Sequence, residues 1–173
     1  YTRLSNPARD VAEMLSDGKM IGYFQDRMEF GPRALGNRSI LADPRDPDMK
    51  DKVNNAVKFR EEWRPFAPSI LAEAAPSYLE HCYDSPFMNL TFNVNTDKRD
   101  TVSAVTHVDT STRPQTVDKE VNPRYWDLIK EFENLTGVPV VMNTSFNLKG
   151  EPIVCSSTDA VRTFYSSGLD ALV

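Results

Sequence analysis

Arg27-Met28-Glu29-Phe30-Gly31-Pro32-Arg33-Ala34-Leu35-Gly36-Asn37-Arg38-Ser39-Ile40 is the stretch on which the reading of this chain turns. It keeps neither a strand nor a helix period and is dense in Arg, Gly and Pro, so a structured loop is predicted over Gln25 to Ala42. Gly31 and Gly36 have the spacing of a phosphate-binding P-loop, but Asn37 stands where the lysine must be, which rejects that motif. What the stretch carries is arginine. Arg27, Arg33, Arg38, Arg45, Arg60 and Arg64 with Lys50, Lys52 and Lys58 face seven acids, a local excess of two in a chain of net charge −5. A guanidinium presents a planar fork of donors suited to phosphate and carboxylate, so clustered Arg in a Gly and Pro loop points to an anion pocket. The competing reading is solvated surface charge with ion pairs to Asp43, Asp46, Glu61 and Glu62.

On either side the pattern is regular. Asn6-Pro7 opens a helix with Ala8, Val11, Ala12 and Leu15 on one face, stopped at Gly18. Met20 to Phe24 is an apolar strand, Asp46-Pro47 starts a polar helix reaching about Val57, and Ser69 to Ala72 is a strand followed by a short helix over Glu73 to Glu80. Val102 to Val108 is β-branched and is expected to be a strand. Asn122-Pro123 opens a helix that ends before Gly137, Val138 to Met142 is a buried strand, and Ser156 with Asp159 resembles a capping box for a helix closed by Gly168. Leu169 to Val173 is the last strand. Strands interleaved with helices imply an α/β sheet domain whose spacing does not demand an all-parallel sheet. Trp63, Phe66, Trp126 and Phe164 are expected in the core.

The chain of 173 residues fits a single domain. A net charge of −5 argues against holding nucleic acid by bulk positive charge. Cys82 and Cys155 lack metal or disulfide spacing, which makes a reducing cytoplasm the expected compartment, and no apolar run suggests a membrane span or leader. The chain opens at Tyr1 and stops inside an apolar run, so a longer parent protein is expected.

The Arg27 to Ile40 stretch resembles the opening motif of the C-terminal domain of O-carbamoyltransferases, the family of nodulation-factor, tobramycin and cephamycin carbamoylating enzymes. Three further blocks in the same order carry the resemblance: Val53-Asn54 to Ala67-Pro68, His107-Val108-Asp109 to Arg113-Pro114-Gln115-Thr116-Val117, and Asn143-Thr144-Ser145-Phe146-Asn147 to Gly150-Glu151-Pro152-Ile153-Val154. Lys58-x-Arg60 and Ser145-x-Asn147 match two pairs of the wider YrdC-like fold. Asp26 and Thr110 stand where the family usually has glycine.

The resemblance implies a YrdC-like mixed, twisted sheet with flanking helices over residues 1–173. It also implies that this domain makes carbamoyl adenylate from carbamoyl phosphate and ATP with Mg²⁺, and that a separate, metal-carrying N-terminal domain transfers the carbamoyl group to a hydroxyl. Arg33, Lys58, Arg60 and Arg113 are then assigned to the phosphates and carbamoyl group, with Asn143, Ser145 and Asn147 meeting the nucleotide. Asn143 and Glu29 are orienters. Lys58-x-Arg60 fits an extended segment with both side chains on one face, and no metal borne by this domain is expected. His107 is read as a hydrogen-bonded structural residue in preference to an acid or base. Two other functions share the fold: synthesis of threonylcarbamoyl adenylate, and non-catalytic binding of nucleotide or RNA.

Overall fold

Helix α1 (Pro7–Ser16) starts where Asn6 caps it, the Asn6 side chain accepting from the Arg9 N–H, and it buries Val11, Ala12 and Leu15 on one face. The computed structural model describes residues 1–61 and 63–173. Strand β1 (Ile21–Phe24) follows. Next comes β2 (Arg38–Ala42), all five of whose residues are buried, although sequence predicted loop to Ala42. The reason is tertiary: β2 is flanked by partner strands on both edges, and a strand buried on both faces does not alternate. Helix α2 (Met49–Val53) runs into one π-helical turn, Asn54–Lys58, close to the predicted end. Its start is later than Asp46-Pro47 because the Asp46 carboxylate accepts from the Asp48 N–H and holds a turn there.

Strand β3 (Ala67–Leu71), a tight turn at Ala72–Ala74 and α3 (Ala75–Tyr78) answer the predicted strand and short helix. The short antiparallel pair β4 (Phe92–Asn93) and β5 (Ser111–Thr112) stands apart from the main sheet. Val102 to Val108 is not a strand. Val105 N–H to Val102 O and Thr106 N–H to Ser103 O make it a tight turn, with Ala104 N–H reaching Pro44 O, while Val102, Ala104 and Val105 are buried. Strand β6 (Gln115–Val117) precedes α4 (Pro123–Thr136), which is capped by Asn122 and ended by Gly137 in the left-handed region. Strand β7 (Val140–Ser145), helix α5 (Ser157–Tyr165) with its Ser156–Asp159 capping box, and β8 (Ala171–Leu172) complete the chain.

The sheet order is β6-β3-β7-β2-β1-β8, antiparallel through the centre with one parallel pairing at each edge. Both faces are covered. Helices α1 and α4 pack on each other over Ile21, Tyr23, Leu41 and Met142, and the other face gathers Ile40, Val57, Phe146, Val154, Ala160 and Leu169. Of the predicted core aromatics, Phe66 is buried and Trp126 and Phe164 are partly buried against the clusters, but Trp63 is 74% exposed. No helix among the described residues is long and apolar enough to cross a membrane.

The register decides where the motifs meet. Ser39 lies opposite Ser145, Ala67 opposite Asn143, and Ser69 opposite Gln115, so the entries to β2, β3 and β6 and the exit from β7 share one end of the sheet. There Gly36, at φ +107, lies against the buried Tyr125 ring, where an added Cβ would come within 2.3 Å. Gly36→Ala is expected to lower the unfolding free energy by about 3 kcal/mol, since a packed ring must move to admit the methyl. Urea denaturation measures it; a loss below about 1 kcal/mol would show that Tyr125 yields freely.

Candidate functional site

Three arginines from three separate segments converge at that end. Arg33, Arg60 and Arg113 border an inner cavity of about 100 Å³ with Asn143, Thr144 and Ser145. The cavity opens into an outer cleft of about 520 Å³ that adds Arg64, His107 and Asp109. The surface-charge reading holds for some cations: Arg45 pairs with Asp43, Lys52 with Asp46, and Arg64 with Glu61. A pairing with Glu62 lies outside the described residues. Among the described residues Arg33, Arg60 and Arg113 have no carboxylate partner. The Nε atoms of Arg60 and Arg113 are buried without an acceptor. Burial, aided by Arg64 for Arg60 and by Arg33 for Arg113, makes each cation less stable than in water. Buried, mutually repelling donors are the arrangement that an anion relieves.

The loop that brings Arg33 here is held by two side chains of opposite sign. Glu29 Oε1 accepts from the N–H groups of Leu35 (2.6 Å), Asn37 (2.8 Å) and Arg38 (3.3 Å). Arg38, 4% exposed, donates to the carbonyls of Gln25, Asp26, Asn37 and Cys155, with its guanidinium 3.6 Å above the Phe24 ring. Arg38 thus leaves the anion-binding group and becomes the loop's internal brace, whereas Arg33 remains exposed on the cleft.

A polar chain ties the same loop to the sheet. Gln115 Nε2 donates to Leu35 O, Ser69 Oγ donates to Gln115 Oε1, and Asn143 Nδ2 donates to Ser69 Oγ (2.9 Å) and Ala34 O (3.1 Å). Two main-chain carbonyls therefore fix which way both carboxamides point, and Asn143 Oδ1 is left buried without a partner. Sequence reading named Asn143 but missed Ser69 and Gln115; their burial between strands is what selects them, and no local pattern shows it.

Lys58 and Arg60 do not share a face. Phe59 between them is left-handed, at φ 45, and closes the π turn by donating to Asn54 O. Arg60 is thereby sent to the cleft and Lys58 to the back of β7. There the Lys58 Nζ reaches Ser145 O, Ser145 Oγ (3.1 Å), Asn147 Oδ1 (2.8 Å) and Asn147 O (3.2 Å). Burial, with Arg60 nearby, pushes the Lys58 amine down to about 7. Neither Lys58 nor Asn147 borders the inner cavity, so the two sequence pairs divide into a front, Arg60 and Ser145, and a back, Lys58 and Asn147.

The two positions where glycine was expected do need it. Asp26 sits at φ 47 and Thr110 at φ 68. Thr110 turns the chain so that Ser111 N–H and Oγ–H both reach Asp109 Oδ1 and His107 Nδ1 lies 3.2 Å from Ser111 Oγ. His107 is thus engaged within a tight turn, and burial lowers its pKa. Among the described residues no group of three or more His, Cys, Asp or Glu could hold a metal ion.

Comparison with known proteins gives consistent matches. The family model described as carbamoyltransferase C-terminus matches residues 12–173. Nodulation protein NolNO of Sinorhizobium fredii is 51% identical over 99% of this chain and 26% of its own length. Nodulation protein NolO of Bradyrhizobium diazoefficiens is 48% identical over 99% and 32%. The chain thus spans about a quarter to a third of these relatives. Among solved structures, P. abyssi Sua5 complexed with L-threonine superposes with TM-score 0.70 at 15% identity, covering 99% of this chain and 47% of that one. Full-length HypF in its phosphate- and nucleotide-bound form gives 0.65 at 15% identity, covering 99% and 25%. These two show the fold, a YrdC-like one.

Two outcomes follow from the strained and buried groups. Thr110→Gly is expected to stabilise the chain by about 1 kcal/mol in chemical denaturation, because a β-branched residue is costly in the left-handed region. An unchanged midpoint would mean the turn holds no strain. For Lys58, the unfolded amine titrates near 10.5 and the folded one near 7, so the unfolded chain binds more protons between these values. Its contribution makes stability rise with pH across that window, and the rise is absent in Lys58→Met. Parallel pH profiles for the two chains would show that folding leaves this amine unperturbed.

Proposed function

The chain belongs to the family of carbamoyltransferase C-termini, and from that premise we propose that it is the carbamoyl-activating domain of an O-carbamoyltransferase. In this reading water hydrolyses carbamoyl phosphate to carbamate and phosphate, and a carbamate oxygen attacks the α-phosphorus of ATP, giving carbamoyl adenylate and pyrophosphate. The observation that carries the reading is the set of three arginines around one cavity, two with buried Nε donors that lack acceptors. Attack of one anion on another needs charge neutralisation and alignment more than covalent help, and guanidinium forks supply both. Mg²⁺ arrives with ATP as part of the substrate. Arg33, Arg60 and Arg113 take the phosphates and the carboxyl oxygens, Asn143 and Ser145 border the carbamoyl group, and Lys58 and Asn147 support Ser145 from behind.

Transfer to a hydroxyl acceptor belongs to a separate N-terminal domain, in keeping with relatives three to four times the length of this chain. His107, the one histidine on the cleft, is engaged in the Asp109–Ser111 turn, which leaves the cleft without a free neutral-pH base to take an acceptor's proton. A chain with 51% identity to a nodulation protein sits closer to this branch than to the structural neighbours at 15% identity.

Calorimetric titration tests the reading: ATP with Mg²⁺ and carbamoyl phosphate should each bind, and a short RNA should not. Arg60→Ala is expected to weaken nucleotide or carbamoyl phosphate about 10- to 100-fold, the loss for a charge-assisted hydrogen bond. Arg113→Lys should also lose affinity, since a point charge cannot reproduce a two-pronged contact. Unchanged binding in both variants removes the arginines from the site and the reading with them.

A further inference from the structure

Beside β6, the edge strand of the main sheet, lies another cavity, of about 320 Å³, which among the described residues shares none with the inner cavity or the outer cleft. The loop that gives Arg33 to the inner cavity gives Glu29, Leu35 and Asn37 to this one. The segment that gives Met88 to the first gives Pro86 and Phe87 to the second. The two cavities are thus bordered by the same two stretches of chain, and they differ in charge.

Among the described residues the cavity beside β6 has no Lys or Arg on its wall and two carboxylates, Glu29 and Asp118. Neither forms an ion pair there. Glu29 Oε1 accepts the three loop N–H groups, while its Oε2 is buried with no partner, so this carboxylate is compensated at one oxygen only. Asp118 is exposed, its Oδ1 accepting from the Glu120 N–H at 2.7 Å. The adjacent Lys119 is turned onto the Trp126 ring, with Nζ 4.4 Å from the centroid. Helix α4 reaches the cavity through Asn122, whose Oδ1 covers the Tyr125 N–H, and Pro123 has no N–H to offer. The amide nitrogens of Asn37, Gln115 and Asn122 bond within the fold, to Arg27 O, Leu35 O and Asn37 Oδ1. What the wall leaves unmatched is negative charge.

The rest of the border is apolar. Phe87 is 62% exposed and Val121 81% exposed, and both stand at this one cavity. A neutral apolar ligand would cover them but leave the carboxylates uncompensated, an inorganic cation would do the reverse, and an anion would be repelled. A protonated amine on an apolar body answers both, and the volume suits a small molecule. We propose that this cavity is a second binding site, for a small organic ammonium ion, with Glu29 and Asp118 supplying the charge and Phe87 and Val121 the apolar cover. The inference is independent of what the arginine cleft binds.

Amide NMR titration tests it with benzylammonium, benzyl alcohol and benzoate, which keep the ring and carry a cationic, a neutral and an anionic group. Benzylammonium should bind saturably and shift the amides of Val117, Asp118 and Val121, with the other two probes each at least about tenfold weaker. Asp118→Asn and Phe87→Ala, both at exposed positions outside the arginine cleft, should each weaken benzylammonium about three- to tenfold at an unchanged unfolding midpoint. The double variant should abolish saturable binding. Glu29→Gln keeps one oxygen for the loop N–H groups while removing the charge, and should weaken binding at least as much as Asp118→Asn; if that chain unfolds, the double variant decides. Benzyl alcohol binding as tightly as benzylammonium, shifts confined to residues away from this cavity, or undiminished binding by the double variant overturns the inference. Each of these results leaves the reading of the arginine cleft standing.

Discussion

An irregular loop laid over the end of a sheet has N–H and C=O groups that no ladder can pair, and burying them unpaired would cost more than the loop could recover. In this protein the Arg38 guanidinium takes up three of the loop's carbonyls, with Cys155 O from a distant segment, and the Glu29 carboxylate three of the N–H groups. Arg38 is also the first residue of β2, so the brace is rigidly continuous with the sheet centre. Once the loop is fixed, the carbonyls of Ala34 and Leu35 become stationary acceptors. The orientations of Gln115, Ser69 and Asn143 follow from them in sequence. The positions of Arg33 and of the cavity wall therefore depend on a cation that touches the cleft nowhere.

The cleft is the converse case. Elsewhere several surface cations are matched with carboxylates, as in Arg45 with Asp43 and Lys130 with Glu133. Around the inner cavity it concentrates guanidinium groups with buried, unpaired Nε donors and places one of them against Phe66, 4.4 Å from the ring. Stacking on an aromatic face holds a guanidinium in place without using its hydrogen-bonding edge. The arrangement is unfavourable for the free chain and favourable for an anion, which is how a site is prepared in advance of its ligand.

Several sequence expectations failed for one shared reason, that burial and direction are properties of the packed chain. Val102 and Val105 are buried as a strand's valines would be and Val108 is exposed, yet the segment meets no neighbouring strand and forms a tight turn instead. Lys58-x-Arg60 has the spacing of one strand face, but the left-handed Phe59 sends the two cations to opposite sides of Ser145. Trp63 has the composition of a core residue and lies exposed beside the cleft. At Asp26 and Thr110 the departure from glycine did not change the backbone. Both positions keep positive φ and accept the strain.

The sequence by itself determined the helices with their caps, the α/β class and the family. Caps and amphipathic stripes are local, and Asn6, Asn122, Ser156 and Gly137 act within one turn of where they stand. It also named Arg33, Arg60, Arg113, Asn143 and Ser145, which border the cavity, because they stand within recognisable motif blocks. What only the tertiary structure decided is which of those residues face the cavity and with which atoms. Pairing β2 beside β7 at the sheet centre places Ser39 opposite Ser145, over a hundred positions apart in the chain. The left-handed Phe59 then puts Arg60 on the cavity and Lys58 behind Ser145, and the Ala34 carbonyl with Ser69 Oγ sets the polarity of Asn143. Hydrogen-bond direction is set by the next group in a network, and those groups become neighbours only when the chain has folded.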